Sequence, residues 1–307
     1  MRTVNIGGRF EGSAIVLGCM RIEHMPREDI ATLIQTALDC GINFFDHADI
    51  YGVEGKCETV FGRAVKDIGV SRDKILVQTK CGIRPGSFDF SKQHIITSCE
   101  NSLKRLDMDY VDVFMLHRPD TLMEPEEVAD AFETLYKAGK VRYFGVSNQN
   151  SGQIRLLNKY LSVECRLIID QLQFSPTNTG MVDSGLNVNM QNPPSFDHDG
   201  SVLEFCRLEG ITIQAWSPFL YGWFEGVFLG NDKYPELNAK LNELAAEKKV
   251  SPEAIVTAWV LRHPAKMQVI PGTTKAERVK SVCAAYDIAL TREEWYAVYC
   301  SAGNRLP

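Results

Sequence analysis

The chain has 307 residues, 45% of them hydrophobic and 23% charged. That is enough for two ordinary domains or for one large α/β barrel, a fold of about 250 residues plus insertions. A formal net charge of −6 with no basic run argues against general affinity for nucleic acid or anionic membrane. No apolar stretch approaches the roughly 20 residues of a membrane span. The N-terminus lacks the apolar core of a signal peptide, so a cytosolic protein is expected. Nine cysteines without Cys-x-x-Cys spacing read as reduced thiols rather than disulfide or zinc partners.

Taken in order, residues 4–10 and the stretch around Gly12 predict a hairpin turned at Gly7-Gly8. Residues 15–17 form a short apolar strand ending at Gly18-Cys19-Met20, and residues 29–40 have the apolar spacing of a helix stopped by Gly41. Residues 42–45 are a second strand, ended by the carboxylate of Asp46, with Tyr51-Gly52 just beyond. The alternation continues with helix 57–68, strand 75–79 into Lys80, helix 95–106 and strand 111–116 into His117. Helix 128–138, strand 141–146 into Ser147-Asn148, helix 153–161 and strand 167–169 toward Gln171 follow. After a long polar loop come helix 202–208, strand 211–215 into Trp216-Ser217-Pro218, helices 237–248 and 252–262, strand 267–270 into Pro271-Gly272, and helix 278–286.

Eight short, fully apolar strands separated by amphipathic helices mean a parallel sheet covered by helices. Eight units favour closure, and no Gly-x-Gly-x-x-Gly follows the first strand, as a dinucleotide-binding open sheet would require. The expectation is one (β/α)₈ barrel domain over residues 1–307, with an N-terminal hairpin. Two long segments, 174–200 and 219–235, are expected as loops on the active face, lining the pocket together with the short C-terminal tail. The second, rich in glycine and aromatics, reads as a lid.

In a barrel the residues at the carboxyl ends of the strands converge. That rule gathers Asp46, Lys80 and His117, with Tyr51 beside them. Singly, each has an ordinary reading: a turn aspartate, a solvated lysine, a hydrogen-bonded core histidine, a rim tyrosine. Together they form a chemistry. A lysine ammonium favours a phenolate and draws the tyrosine pKa toward working pH, and an aspartate holds the lysine charged. The histidine can orient a substrate oxygen. Such a group gives a proton to, or takes one from, an oxygen whose carbon gains or loses hydride. Lys80 as a Schiff-base nucleophile is an alternative in the same fold. Cys81, beside Lys80, reads as a redox-sensitive thiol or a core residue.

Asp46 with Tyr51-Gly52, Lys80, His117, Gly145-Val146-Ser147-Asn148, Gln171, Trp216-Ser217-Pro218 and Ile270-Pro271-Gly272-Thr273-Thr274-Lys275 resemble the aldo-keto reductases over nearly the whole chain. Phe-Asp-His-Ala-Asp-Ile-Tyr-Gly and Leu-His-Arg-Pro-Asp are similar to the family's bacterial oxidoreductase branch. The resemblance implies NADPH-dependent reduction of a small aldehyde or ketone, with Asp46, Tyr51, Lys80 and His117 as catalytic tetrad and Tyr51 as general acid. It implies Ser147, Asn148 and Gln171 at the carboxamide and Trp216 against the nicotinamide. Ser217 and Phe219 would border the pyrophosphate, and Met20 and Asp46 would lie near the ribose. A non-enzymatic cofactor-binding subunit is the family's other implied role.

Gly272, Thr273, Thr274 and Lys275 are expected at the start of the final helix, where free amides favour an anion, with Arg278 adding a planar fork. Two cations and two hydroxyls there suit a 2′-phosphate and favour NADP over NAD. The chain departs from the family at Gly272, where a lysine is common, and at Ser281 and Val282, where acidic and asparagine residues face the adenine in many members. Substrate identity and oligomeric state are not legible.

Overall fold

The computed structural model describes residues 2–307; Met1, part of the expected domain, lies outside them. Eight strands form a single sheet in sequential order: β1 (Leu17–Gly18), β2 (Phe44–Asp46), β3 (Leu76–Cys81), β4 (Val111–Leu116), β5 (Val141–Ser147), β6 (Leu167–Gln173), β7 (Thr212–Trp216) and β8 (Gln268–Ile270). Every neighbouring pair is parallel. The first and last strands meet through a parallel bridge between Ile15 and Val269. Backbone bonds from Val16 and Gly18 amides to the Val269 and Pro271 carbonyls (2.8 and 3.0 Å) complete the closure. The expected barrel is present, its strands buried on both faces because helices cover the outside.

The elements start where their sequences permit. Helix Pro125–Lys137 has proline in its first turn with Glu126 and Glu127 beside it, which suits the helix dipole. Helix Ser151–Tyr160 opens on a capping box between Asn150 and Gln153. The hairpin Thr3–Ile6 with Phe10–Ser13 sits at the amino end of the barrel. At its turn Gly7 has φ +52°, and a Cβ there would lie 2.4 Å from the Ile168 Cβ. Only glycine fits that approach.

At the same end, the Asp112 carboxylate is buried. It accepts from Arg72 (2.6 Å), Arg142 (3.0 Å) and the Val77 amide (2.9 Å). The two guanidinium groups lie over the Tyr110 ring, 4.1 and 3.9 Å from its centre.

Several expectations change. Segment 174–200 is not plain loop: it holds helix Gly180–Leu186 and a 3₁₀ turn at Pro193–Ser195. Segment 219–235 carries a small hairpin, Leu220–Tyr221 with Gly226–Val227. A further hairpin, Ile83–Arg84 with Ser87–Phe88, follows β3. The helix after Lys275, Ala276–Cys283, is not the last; Arg292–Ser301 follows, opened by a capping box between Thr291 and Glu294. That Thr-x-x-Glu pattern is its sequence signal. Among the described residues no helix is long and apolar enough to cross a membrane.

Candidate active site

Asp46, Lys80, His117 and Tyr51 meet at the carboxyl end of the barrel, as the ends of β2, β3 and β4 dictate. Lys80 is completely buried, and its ammonium donates to three oxygens: the Asp46 carboxylate at 2.6 Å, the His47 carbonyl at 2.8 Å and the Tyr51 hydroxyl at 3.3 Å. The His117 ring stands edge-on to Tyr51, centroids 5.8 Å apart at 81°. Burying a lone ammonium would be prohibitive; pairing and full hydrogen bonding make it tolerable.

Beneath this group lies a polar floor absent from the sequence reading beyond Gln171. Gln78, Gln171, Gln214 and Gln268 project inward from β3, β6, β7 and β8. Gln78 and Gln214 exchange amide hydrogen bonds (2.8 and 3.0 Å), Gln171 donates to Gln214 (3.1 Å) and Gln214 donates to Gln268 (2.9 Å). Gln78 and Gln171 also donate to the same Asp46 oxygen that Lys80 contacts, at 2.5 and 3.0 Å. A satisfied buried network of this kind is rigid, so Asp46 and Lys80 are held from below.

The charges of the group follow from burial. Burial works against the Lys80 ammonium, but Asp46 and then Tyr51 outweigh it and hold its pKa above the ordinary value. Burial raises the Tyr51 phenol; Lys80 opposes this without overcoming it. The sequence expectation of a phenol drawn down toward working pH therefore holds for the lysine's influence alone, not for the balance. His117 is pushed well below its usual range by burial, then by Lys80 and Arg118, and so stays neutral. His47 falls to about 3, through burial and then Lys80. Its ring packs on Phe61 with both nitrogens unpartnered, and only its carbonyl serves the site. Cys81 is fully buried, its thiol driven well up by burial and then Asp49, which is core packing.

A cavity of ≈ 560 Å³ opens above Tyr51 and His117. Of the residues singled out for a cofactor, Met20, Asp46, Ser147, Asn148, Gln171, Trp216, Ser217, Phe219, Gly272, Thr273 and Arg278 line it. Thr274 and Lys275 do not; Lys275 is the exposed N-cap residue of its helix. Asn148 and Ser217, each just past a strand, hold φ of 60° and 50°, left-handed backbone that costs a non-glycine residue and marks functional turns. The Asn148 side chain is tied to the end of β7 through Trp216, whose indole N–H donates to the Asn148 amide oxygen at 3.1 Å. The Gln171 amide nitrogen is already committed to Asp46 and Gln214, which leaves its oxygen for a ligand.

Arg118 and Glu253 on the wall were not foreseen, whereas Trp223 and Phe224 belong to segment 219–235, which was expected there. Arg118, named in Leu-His-Arg-Pro-Asp but given no role, stands on the wall with Trp223, Phe224 and Glu253. Trp223 and Phe224 form the tip of the 219–235 hairpin, and Phe224 stacks on Trp216 at 5.8 Å and 16°. Segment 174–200 and the C-terminal tail contribute nothing to the wall, contrary to expectation. Instead Tyr299 donates to Asp183 (2.8 Å) and Asn304 to the Pro176 carbonyl (3.0 Å), pinning the segment to the last helix.

Residues 14–299 match the model of the Aldo/keto reductase family. The chain is 34% identical to oxidoreductase YdhF of Escherichia coli, over 94% of this chain and 93% of that one. It is 32% identical to a 6-dehydroglucose reductase of Novosphingobium aromaticivorans, over 96% and 93%. Its fold is similar to that of an aldo-keto reductase from Klebsiella pneumoniae in complex with NADPH. The TM-score is 0.77 at 24% identity, covering 97% and 93% of the two chains.

Proposed function

The chain belongs to the aldo/keto reductase family, and from that premise we propose that it uses NADPH to reduce a small aldehyde or ketone to an alcohol, with Tyr51 as proton donor. The observation that carries this reading is the Lys80 ammonium bonded at once to Asp46 and to the Tyr51 hydroxyl on the floor of an open cavity. A phenol held above its usual pKa reaches the carbonyl protonated at neutral pH. As its proton leaves, the ammonium 3.3 Å away stabilises the phenolate, an interaction stronger in the transition state than in the ground state. Neutral His117 offers an N–H to the same substrate oxygen and orients it.

The lining suits the cofactor: Ser217 on a strained turn brings a hydroxyl, Gln171 an amide oxygen without a partner among the described residues, and Trp216 an aromatic ring against which Phe224 stacks. Bound NADPH would supply the hydride. Ser147, Asn148 and the Gln171 oxygen would hold its carboxamide, Trp216 its ring, Ser217 and Phe219 the pyrophosphate, and Met20 and Asp46 the ribose. Gly272, Thr273 and Arg278 on the wall, with Thr274 and Lys275 at its margin, would take the 2′-phosphate.

A Schiff base on Lys80 is disfavoured, because a lysine whose pKa is raised has no lone pair to offer at neutral pH. Replacing Tyr51 by Phe should lower turnover by about 10²–10⁴-fold and leave NADPH binding, read by quenching of nicotinamide fluorescence, within a few-fold. A variant that keeps its turnover ends the assignment of Tyr51.

A further inference from the structure

Arg118 follows His117 directly and stands on the same cavity wall. Its guanidinium carbon lies 4.5 Å from the centre of the Trp223 ring and 5.5 Å from that of Trp216. The indoles stand edge to face, 6.3 Å apart at 89°. Two aromatic faces hold the flat cation, and stacking leaves its N–H edge free.

What it lacks among the described residues is an anion. Three other partly buried cations are answered by carboxylates, Arg72 by Asp112, Arg105 by Glu58 at 2.7 Å and Lys248 by Glu294 at 2.6 Å, while Arg262 donates to the Leu290 carbonyl at 2.7 Å. Asp120, the carboxylate nearest Arg118 in sequence, is turned to the amides of Phe90 and Leu122, both at 2.9 Å. Burial lowers the Arg118 pKa, and the one group found to oppose this is the Tyr51 phenol. A half-buried guanidinium fixed beside the proton donor with no counter-ion is built to receive a charge from outside.

Resting on the reductase reading above, we propose that Arg118 anchors a carboxylate of the substrate, so that the pocket takes an oxo-acid, an aldehyde or ketone bearing a carboxylate. The carbonyl oxygen meets Tyr51 and His117 while the carboxylate takes the guanidinium edge. Trp223 ties this anchor to the 219–235 hairpin, so the hairpin shapes the acid end of the pocket.

The test runs glyoxylate, 4-oxobutanoate and 5-oxopentanoate against their methyl esters with NADPH. Wild type should favour at least one acid over its ester. Arg118→Gln should lower kcat/KM for that acid at least ~30-fold more than for the ester, mainly through KM. Arg118→Lys, which keeps charge but loses the fork, should recover part of the difference. Equal handling of acid and ester by wild type, or equal losses in Arg118→Gln, overturns the anchor and leaves the reductase reading standing. No turnover of any carbonyl overturns the reductase reading instead. A malonate titration followed by tryptophan fluorescence then decides Arg118 separately. Saturable quenching in wild type that is lost in Arg118→Gln supports the anchor; no quenching, or tighter binding of inorganic phosphate, overturns it.

Discussion

Both ends of the barrel bury a carboxylate against cations, and only one end looks able to do chemistry. At the amino end, the oxygens of Asp112 accept from two arginines and a backbone amide, and the arginine side chains remain 22% and 52% exposed. At the carboxyl end the cation is a lysine with no exposure at all, in contact with a phenol that lines an open cavity. An arginine keeps its proton under any ordinary condition, so the lower cluster can only hold strands together. A lysine beside a phenol can trade stabilisation for proton position. A buried ion pair is therefore a poor mark of a site; the neighbouring acid and the opening above it make the difference.

The sharpest way to break this contrast is to remove one cation from each end. Lys80→Met should lower turnover by about 10²–10⁴-fold and destabilise the fold by about 3 kcal/mol, because Asp46 keeps its glutamines but loses its counter-charge. Steady-state rates and urea unfolding read the two effects, and turnover close to wild type would sink the division of labour. Asp112→Asn should do the reverse. Its partners reach water, so the stability loss is discounted to about 2 kcal/mol, and kcat/KM of the folded protein should stay within about twofold. A large fall in kcat/KM without unfolding would show that the amino end reaches the site.

The sequence shows the carboxyl end of the barrel more readily than its support. Asp46 and His117 each terminate an apolar run and Lys80 stands near the end of its strand, and a strand end is a signal read locally. The glutamine floor has no such mark: Gln78 and Gln214 bond across 136 residues of chain, and each sits in the middle of its strand rather than at its end. Arg118 was visible in its motif, but its isolation from acids depends on where the Asp120 side chain turns. The fate of segment 174–200 hinges on Tyr299 and Asn304, far along the chain, within and just after a helix announced only by Thr291 and Glu294. Local composition predicts a loop; it does not say which neighbour claims it.

The smallest effect concerns Asp49, three residues beyond Asp46 and outside the proposed chemistry. One of its oxygens is buried without a partner. Burial, and then the nearby Glu58 charge, push its pKa up to about 7, with Arg105 opposing. A folded-state pKa above the unfolded value means that its contribution is fully present below about pH 4 and is lost as pH rises through about 7. His47 and His117, held below their ordinary range, impose the opposite slope. They are common to wild type and Asp49→Asn, so the difference between the two proteins isolates the carboxyl. That difference should move in favour of Asp49→Asn by roughly half a kcal/mol per pH unit between pH 4 and 7, under the ceiling of about 1.4 for one proton. Urea unfolding across that range reads it. A flat difference would mean that water or a rearranged Arg105 already serves Asp49, and the carboxyl end would then be no more sensitive to protons than its proposed chemistry requires.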